Sequence, residues 1–148
     1  MRALLDTNVI IDLFTGRPPE GDAAAKLQVM QVLGDIELWV SAKSFTDVFY
    51  VMRKENESAN VQQTFIKSLE YLKVCAVDAD DIRQTAERCW LDFEDCLIDV
   101  CAEKVKADVL LTRDEKGFAR SSIACCSPKA FFDRLEHEHG IVYEEVEW

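Results

Sequence analysis

Five short apolar runs, RALLD, ELWVS, LKVCAV, ADVLLT and SIACCS, recur along 148 residues, with helix-patterned stretches between them. Strands joined through helices align in parallel, and a parallel sheet needs helices on both faces to bury it. The alternation predicts an α/β fold: a three-layer α/β/α sandwich around a central parallel sheet of about five strands. At this length, and with 49% of residues hydrophobic, the chain is expected to form one domain over residues 1–148 with its own core. No internal repeat, low-complexity tract or linker interrupts it.

The helical stretches carry their own start and stop signals. TNVIIDLF follows the capping candidates Asp6 and Thr7, and TGRPPEG breaks it. A helix is expected over residues 22–33, and Ser44 is placed to cap the helix that carries Asp47. Another helix is expected over residues 58–72, followed by DADDIRQTAERCW and FEDCLIDVCAEKVKA. PKAFFDRLEHEHG begins with Pro and ends with Gly, the asymmetry of a complete helix.

Four aspartates sit just past the apolar runs: Asp6 in LLDTNVIID, Asp47 in SAKSFTDVFYVMRK, Asp95 in LDFEDCLIDV and Asp114 in VLLTRDEKGF. In an open α/β sheet ligands bind beyond the carboxyl ends of the strands, so these acids are expected to converge there. Clustered carboxylates repel one another unless a hard divalent cation, Mg²⁺ or Mn²⁺, cancels the charge. The chemistry this favours is metal-assisted phosphodiester hydrolysis. Two of the acids also have a plainer role, Asp6 as a helix cap and Asp47 as helix surface, and Arg113 and Lys116, which are placed to contact phosphate, read singly as solvated charge. Asp92, three residues before Asp95, is the better cap, which frees Asp95 for ligation, and Asp99 lies one turn further on the same face. Thr7 and Asn8 are placed to donate hydrogen bonds around Asp6, and Thr112 to support Asp114.

The net charge of −11 limits general affinity for a polyanion and suits a basic protein partner. Part of the excess lies in the terminal EHEHGIVYEEVEW, while Arg17, Lys43, Arg53, Lys54, Arg113, Lys116 and Arg120 lie near the acidic segments. The six cysteines are expected as structural thiols: Cys75 in a strand, Cys89, Cys96 and Cys101 in helices, Cys125 and Cys126 adjacent. No CxxC pair offers zinc ligation, and His137 and His139 read as solvated helix-end residues. No apolar run approaches the roughly 20 residues that span a bilayer, and no signal peptide is legible, so the expected place is the cytoplasm.

LLDTNVIIDLF, SAKSFTDVFYVMRK, DFEDCLIDVCAEKVKADVLLTRD and FARSSIACCSPKAFF stand in an order and spacing that resembles the PIN-domain family over nearly the whole chain. That resemblance implies a metal-dependent ribonuclease, many relatives being VapC-type toxins held inactive by an antitoxin, and it leaves room for a homodimer. It implies Asp6, Asp95 and Asp114 as the metal ligands, assisted catalytically by Asp47, which stands where the family usually has Glu. The later of two positions for the last acid is Gly117 here, which leaves Asp114 to serve. The preference for RNA over DNA comes from the resemblance alone. A second reading is a PIN-like binding or regulatory module with little activity, favoured by the Glu-to-Asp change and the negative charge. A phosphotransfer receiver does not fit, because the first strand ends Asp6-Thr7-Asn8 and the last ends CCS.

Overall fold

The structure, a computed structural model, describes residues 1–144, so the last four residues of the acidic terminal segment lie outside it. Strands β1 (Arg2–Leu5), β2 (Glu37–Ser41), β3 (Leu72–Cys75), β4 (Val109–Leu111) and β5 (Ala124–Cys126) form one sheet. Their order is β3-β2-β1-β4-β5, and every neighbouring pair is parallel. Helices α1 (Thr7–Thr15), α2 (Glu20–Val32), α3 (Ser44–Met52), α4 (Ser58–Ser68), α5 (Ala79–Arg88), α6 (Phe93–Lys104) and α7 (Pro128–His139) connect and cover the strands. The five-stranded parallel sandwich expected from the alternation is the fold observed.

Strand side chains alternate between two cores, as a pleated strand requires. Ala3, Leu5, Leu38, Val40, Val109 and Leu111 face one core, which Val9, Leu27, Val48, Val61 and Phe131 close from α1, α2, α3, α4 and α7. Leu4 and Leu110 face the other, closed by Ile98, Cys101 and Ala102 of α6. Leu4, Leu5, Leu38, Leu110 and Leu111 are fully buried, and each such side chain contributes roughly 1.5–3 kcal/mol relative to exposure. That two-sided burial explains why the runs read as continuous apolar stretches with no polar alternation.

The chain proceeds outward from central β1 through β2 to β3, then returns to β4 on the opposite side of β1. The order reverses between β1 and β4, and the crevice beyond their carboxyl ends is the ligand position of such sheets. Asp6 follows β1 directly, its backbone N–H bonded to the Leu111 carbonyl at 2.9 Å. Among the described residues no helix is long and apolar enough to cross a membrane.

Three local expectations are corrected. Ser44 is the first residue of α3, not its cap; Lys43 holds the cap position, and the buried Ser44 hydroxyl has no hydrogen-bond partner. Cys89 is exposed and left-handed at φ 51, ending α5 instead of packing within it. The helix expected to reach residue 72 stops at Ser68, because Leu72 already pairs with Leu38 as the start of β3.

Candidate functional site

Asp6 is 6% exposed and fixed by three donors. The Thr7 N–H donates to its Oδ1 at 2.7 Å, and Asn8 Nδ2 and Thr112 Oγ1 donate to its Oδ2 at 2.9 and 2.8 Å. One oxygen thus caps α1, as expected, while the other meets Asn8 and Thr112 at the crevice. Burial raises its pKa most, the Asp114 charge adds to that, and the hydrogen bonds from Thr112, Thr7 and Asn8 oppose it.

Thr112 does more than the sequence suggests. Its hydroxyl donates to Asp6 and accepts the Asp114 N–H at 2.9 Å, so one side chain ties the ends of β1 and β4 together. Asn8 repeats the arrangement, donating to Asp6 and accepting the Arg113 N–H at 3.2 Å. These short polar residues after the two apolar runs were the signal; which partners they meet depends on sheet order, which local periodicity does not contain.

Asp95 stands in the first turn of α6, where the helix dipole favours a carboxylate. Asp92 caps that helix, accepting the Glu94 and Asp95 N–H groups at 2.8 and 3.1 Å, as expected. Burial, followed by the charges of Asp92, Asp6, Asp114 and Glu94, raises the Asp95 pKa to about 6. No cation is paired with it among the described residues.

Asp114 is exposed and caps a single 3-10 turn, Glu115–Phe118, through the Gly117 N–H at 3.3 Å. A Cβ on Gly117 would lie 2.5 Å from Asp95 Oδ2 and 3.0 Å from Asp114 Oδ2. Two carboxylates from separate elements thus face one small space that exists because residue 117 has no side chain.

Among the described residues no three His, Cys, Asp or Glu side chains are gathered so as to hold an ion by themselves. The arrangement is instead open: Asp95 and Asp114 about the Gly117 gap, with Asp6 joined to Asp114 through Thr112. This fits Mg²⁺ or Mn²⁺ better than a closed cage would, because Mg²⁺ keeps several waters and is commonly held by one or two carboxylates. The all-oxygen, uncompensated donor set suits a hard cation.

Asp47 lies half-buried in the first turn of α3, paired with Lys43 Nζ at 2.7 Å; the same ammonium reaches Glu94 at 3.2 Å. Burial acts against the Lys43 charge, but hydrogen bonds to Asp47 and Glu94 outweigh it and raise its pKa. Lys43 thus links α3 to α6 and neutralises Asp47. For the RNA cleavage that the sequence resemblance implies, Asp47→Ala is expected to lower the rate roughly tenfold, equivalent to about 1.4 kcal/mol of activation energy. Asp47→Glu, with one more methylene of reach, should keep or raise it, and initial rates on one RNA would compare the three proteins. Wild-type rates for Asp47→Ala would make Asp47 a surface residue only.

Asp99 is not turned toward the other acids. It is 1% exposed and accepts from Arg88 Nη1 at 3.0 Å and from the Ser121 hydroxyl. Arg88 also pairs with Glu103, and Arg120 donates to the Arg88 and Cys89 carbonyls while lying over Trp90. This network staples the segment after the 3-10 turn to α5 and α6. Arg88→Ala should cost about 2–3 kcal/mol by stranding a buried carboxylate, discounted for the partial exposure of Arg88. Urea unfolding would measure the loss; a change under about 0.5 kcal/mol would show that the pair holds nothing.

Other cations are also committed: Arg113 to Asp12 at 2.8 Å, and Arg17 to Glu55. Arg53 and Lys54 lie over the Tyr50 ring, and Lys116 is exposed beside the site.

Comparison with known proteins bears on the family and the fold. The sequence profile of the PIN domain matches residues 2–116. No curated protein matches the chain in sequence. Among solved structures, VapBC-1 from nontypeable Haemophilus influenzae superposes at a TM-score of 0.67 with 20% identity, over 87% of this chain and 99% of that one. Mycobacterium tuberculosis VapC20, a Sarcin-Ricin loop cleaving toxin, gives 0.64 with 14% identity, over 80% and 94%. A toxin-antitoxin complex from Klebsiella pneumoniae gives 0.61 with 22% identity, over 85% and 97%.

Proposed function

Because the chain belongs to the PIN-domain family, we propose that it is a metal-dependent endoribonuclease whose site comprises Asp6, Asp95 and Asp114, assisted by Asp47. The observation that carries this reading is the uncompensated negative charge at the β1–β4 switch point: Asp95 and Asp114 face one gap, and among the described residues no cation pairs with Asp95. A divalent ion, when bound, supplies Lewis acidity and a bound water of lowered pKa. Asp6, Asp95 and Asp114 would hold that ion, and Asp6, fixed by Thr7, Asn8 and Thr112, would also orient a water for attack. Lys116, exposed in the 3-10 turn next to Gly117, is proposed to contact phosphate of the RNA. No His, Ser or Cys nucleophile is needed, and both histidines lie at the far end of α7.

The VapBC and toxin-antitoxin neighbours support a further part of the proposal, a toxin controlled by an antitoxin partner; a cytoplasmic place and a homodimer belong to the proposal on the family resemblance alone. The acidic surface, at net charge −11, suits a basic partner segment. The other reading, a binding module without activity, draws on the neutralisation of Asp47 by Lys43. Incubation of single-stranded RNA with the purified protein separates the two. Cleavage is expected with Mg²⁺ or Mn²⁺ and none with chelator; equal cleavage in chelator overturns the metal dependence, and none with either ion across varied RNAs favours the module.

A further inference from the structure

A cavity of about 410 Å³ opens between α1, the start of α2 and the start of α7, lined in part by Arg113, the chain neighbour of Asp114. Its volume falls within the roughly 300–1,000 Å³ typical of small organic ligand sites. Pro19, Ala23, Pro128 and Phe132 give it an apolar lining. The Phe132 ring is braced edge-on by Phe131 and Tyr143, at centroid distances of 5.4 and 5.9 Å, and stays half-buried.

Arg113 connects the cavity to the cleavage site. Its side chain lines the cavity and is held by Asp12, while its backbone immediately precedes Asp114 and is pinned to Asn8. One peptide unit thus separates a residue that lines the cavity from Asp114.

Charge decides which part of an RNA would enter. Four carboxylates line the cavity against three cations, so a phosphate gains nothing there. A nucleobase is neutral, flat and edged with donors and acceptors. An apolar wall with an aromatic ring accepts its face, and carboxylates such as Asp22 accept from its amino groups. Resting on the nuclease reading above, we propose that this cavity receives one unstacked nucleobase of the RNA next to the phosphodiester presented to the acids. It thereby sets a base preference at one position.

The test uses single-stranded RNA carrying 2-aminopurine at successive positions, with chelator present to keep it intact. Ala23→Phe fills the cavity from a partly exposed helical position, and Phe132→Ala removes the aromatic wall. Wild type should change 2-aminopurine emission at one position only. Both variants should lose that change and bind about tenfold more weakly, the scale of one base–aromatic contact. Ala23→Phe should keep the wild-type melting temperature. Wild-type affinity in Ala23→Phe overturns the proposal and leaves the cavity as the seat of a protein segment. Weaker binding confined to a Phe132→Ala protein of lowered melting temperature also counts against it. Cleavage assays fail or succeed separately: equal binding with retained cleavage sinks only the cavity, whereas base-dependent binding without cleavage sinks only the nuclease.

Discussion

Asp6→Asn is expected to lower metal-supported RNA cleavage at least a thousandfold, about 4 kcal/mol of activation energy, while the protein stays folded. The exchange nearly preserves volume, but it replaces a carboxylate oxygen by an NH₂ donor among groups that already donate. The Thr7 N–H points at one oxygen, and Asn8 and Thr112 donate to the other. Asn8 cannot turn its amide around without losing the Arg113 N–H, and the Thr112 hydroxyl also accepts from the Asp114 N–H. The substitution therefore removes charge and loosens the tie between the ends of β1 and β4. Single-turnover cleavage at saturating Mn²⁺, with circular dichroism to verify the fold, measures the effect. Cleavage within tenfold of wild type by a folded Asp6→Asn protein would contradict a role for Asp6 in the chemistry.

Much of the fold was legible because the strands are buried on both faces and their connections are helical. RALL, ELWVS, LKVC, VLL and ACC are strands within a residue or two of expectation, and α7 runs from Pro128 to the Gly140 cap. Sheet order was not legible. Periodicity says which face a residue buries, but not that β1 lies between β2 and β4, and the position of the acids follows from that order. Asp92 as a cap could be read because capping is local. Helix spacing puts Asp99 on the same face as Asp95, but not the partners it meets there, since Arg88 and Ser121 arrive from other segments. The Lys43 link between Asp47 and Glu94 was equally hidden, since it depends on where α6 crosses α3. Gly117 was noted as an acid missing from the family pattern. Only the structure gives that absence a shape, as the space between Asp95 and Asp114.

Divalent metal should stabilise the folded protein strongly, because unfolding disperses the carboxylates that bind it. At a hundredfold excess over the dissociation constant the gain is about 2.7 kcal/mol, a rise in melting temperature of roughly 5–10 °C for a domain of this size. The response should depend on pH. The Asp95 pKa in the fold is about 6, above its ordinary 3.8, so the metal-free fold holds this proton more tightly than the unfolded chain. The resulting stabilisation is complete below about pH 4 and is lost as pH rises through 6. Above pH 6 the metal-free fold carries an unfavourable charge at Asp95, which bound metal neutralises. At pH 5 the ion must first displace a proton, so its effect should be smaller than at pH 7.5.

Asp95→Asn removes that charge permanently. At pH 7.5 it should melt at or above the wild-type temperature in chelator, and it should lose most of the rise with Mn²⁺. At pH 4 in chelator, with Asp95 protonated in the wild type, the two proteins should melt alike. Thermal melts of wild type and Asp95→Asn at pH 7.5, each with chelator and with millimolar Mn²⁺, test the metal-holding acid cluster directly and need no knowledge of the RNA target. The expected result is a Mn²⁺-dependent rise of several degrees in wild type that largely disappears in Asp95→Asn. Equal rises in the two proteins would remove Asp95 from the metal site, and no rise in wild type would contradict a metal site at the β1–β4 crevice.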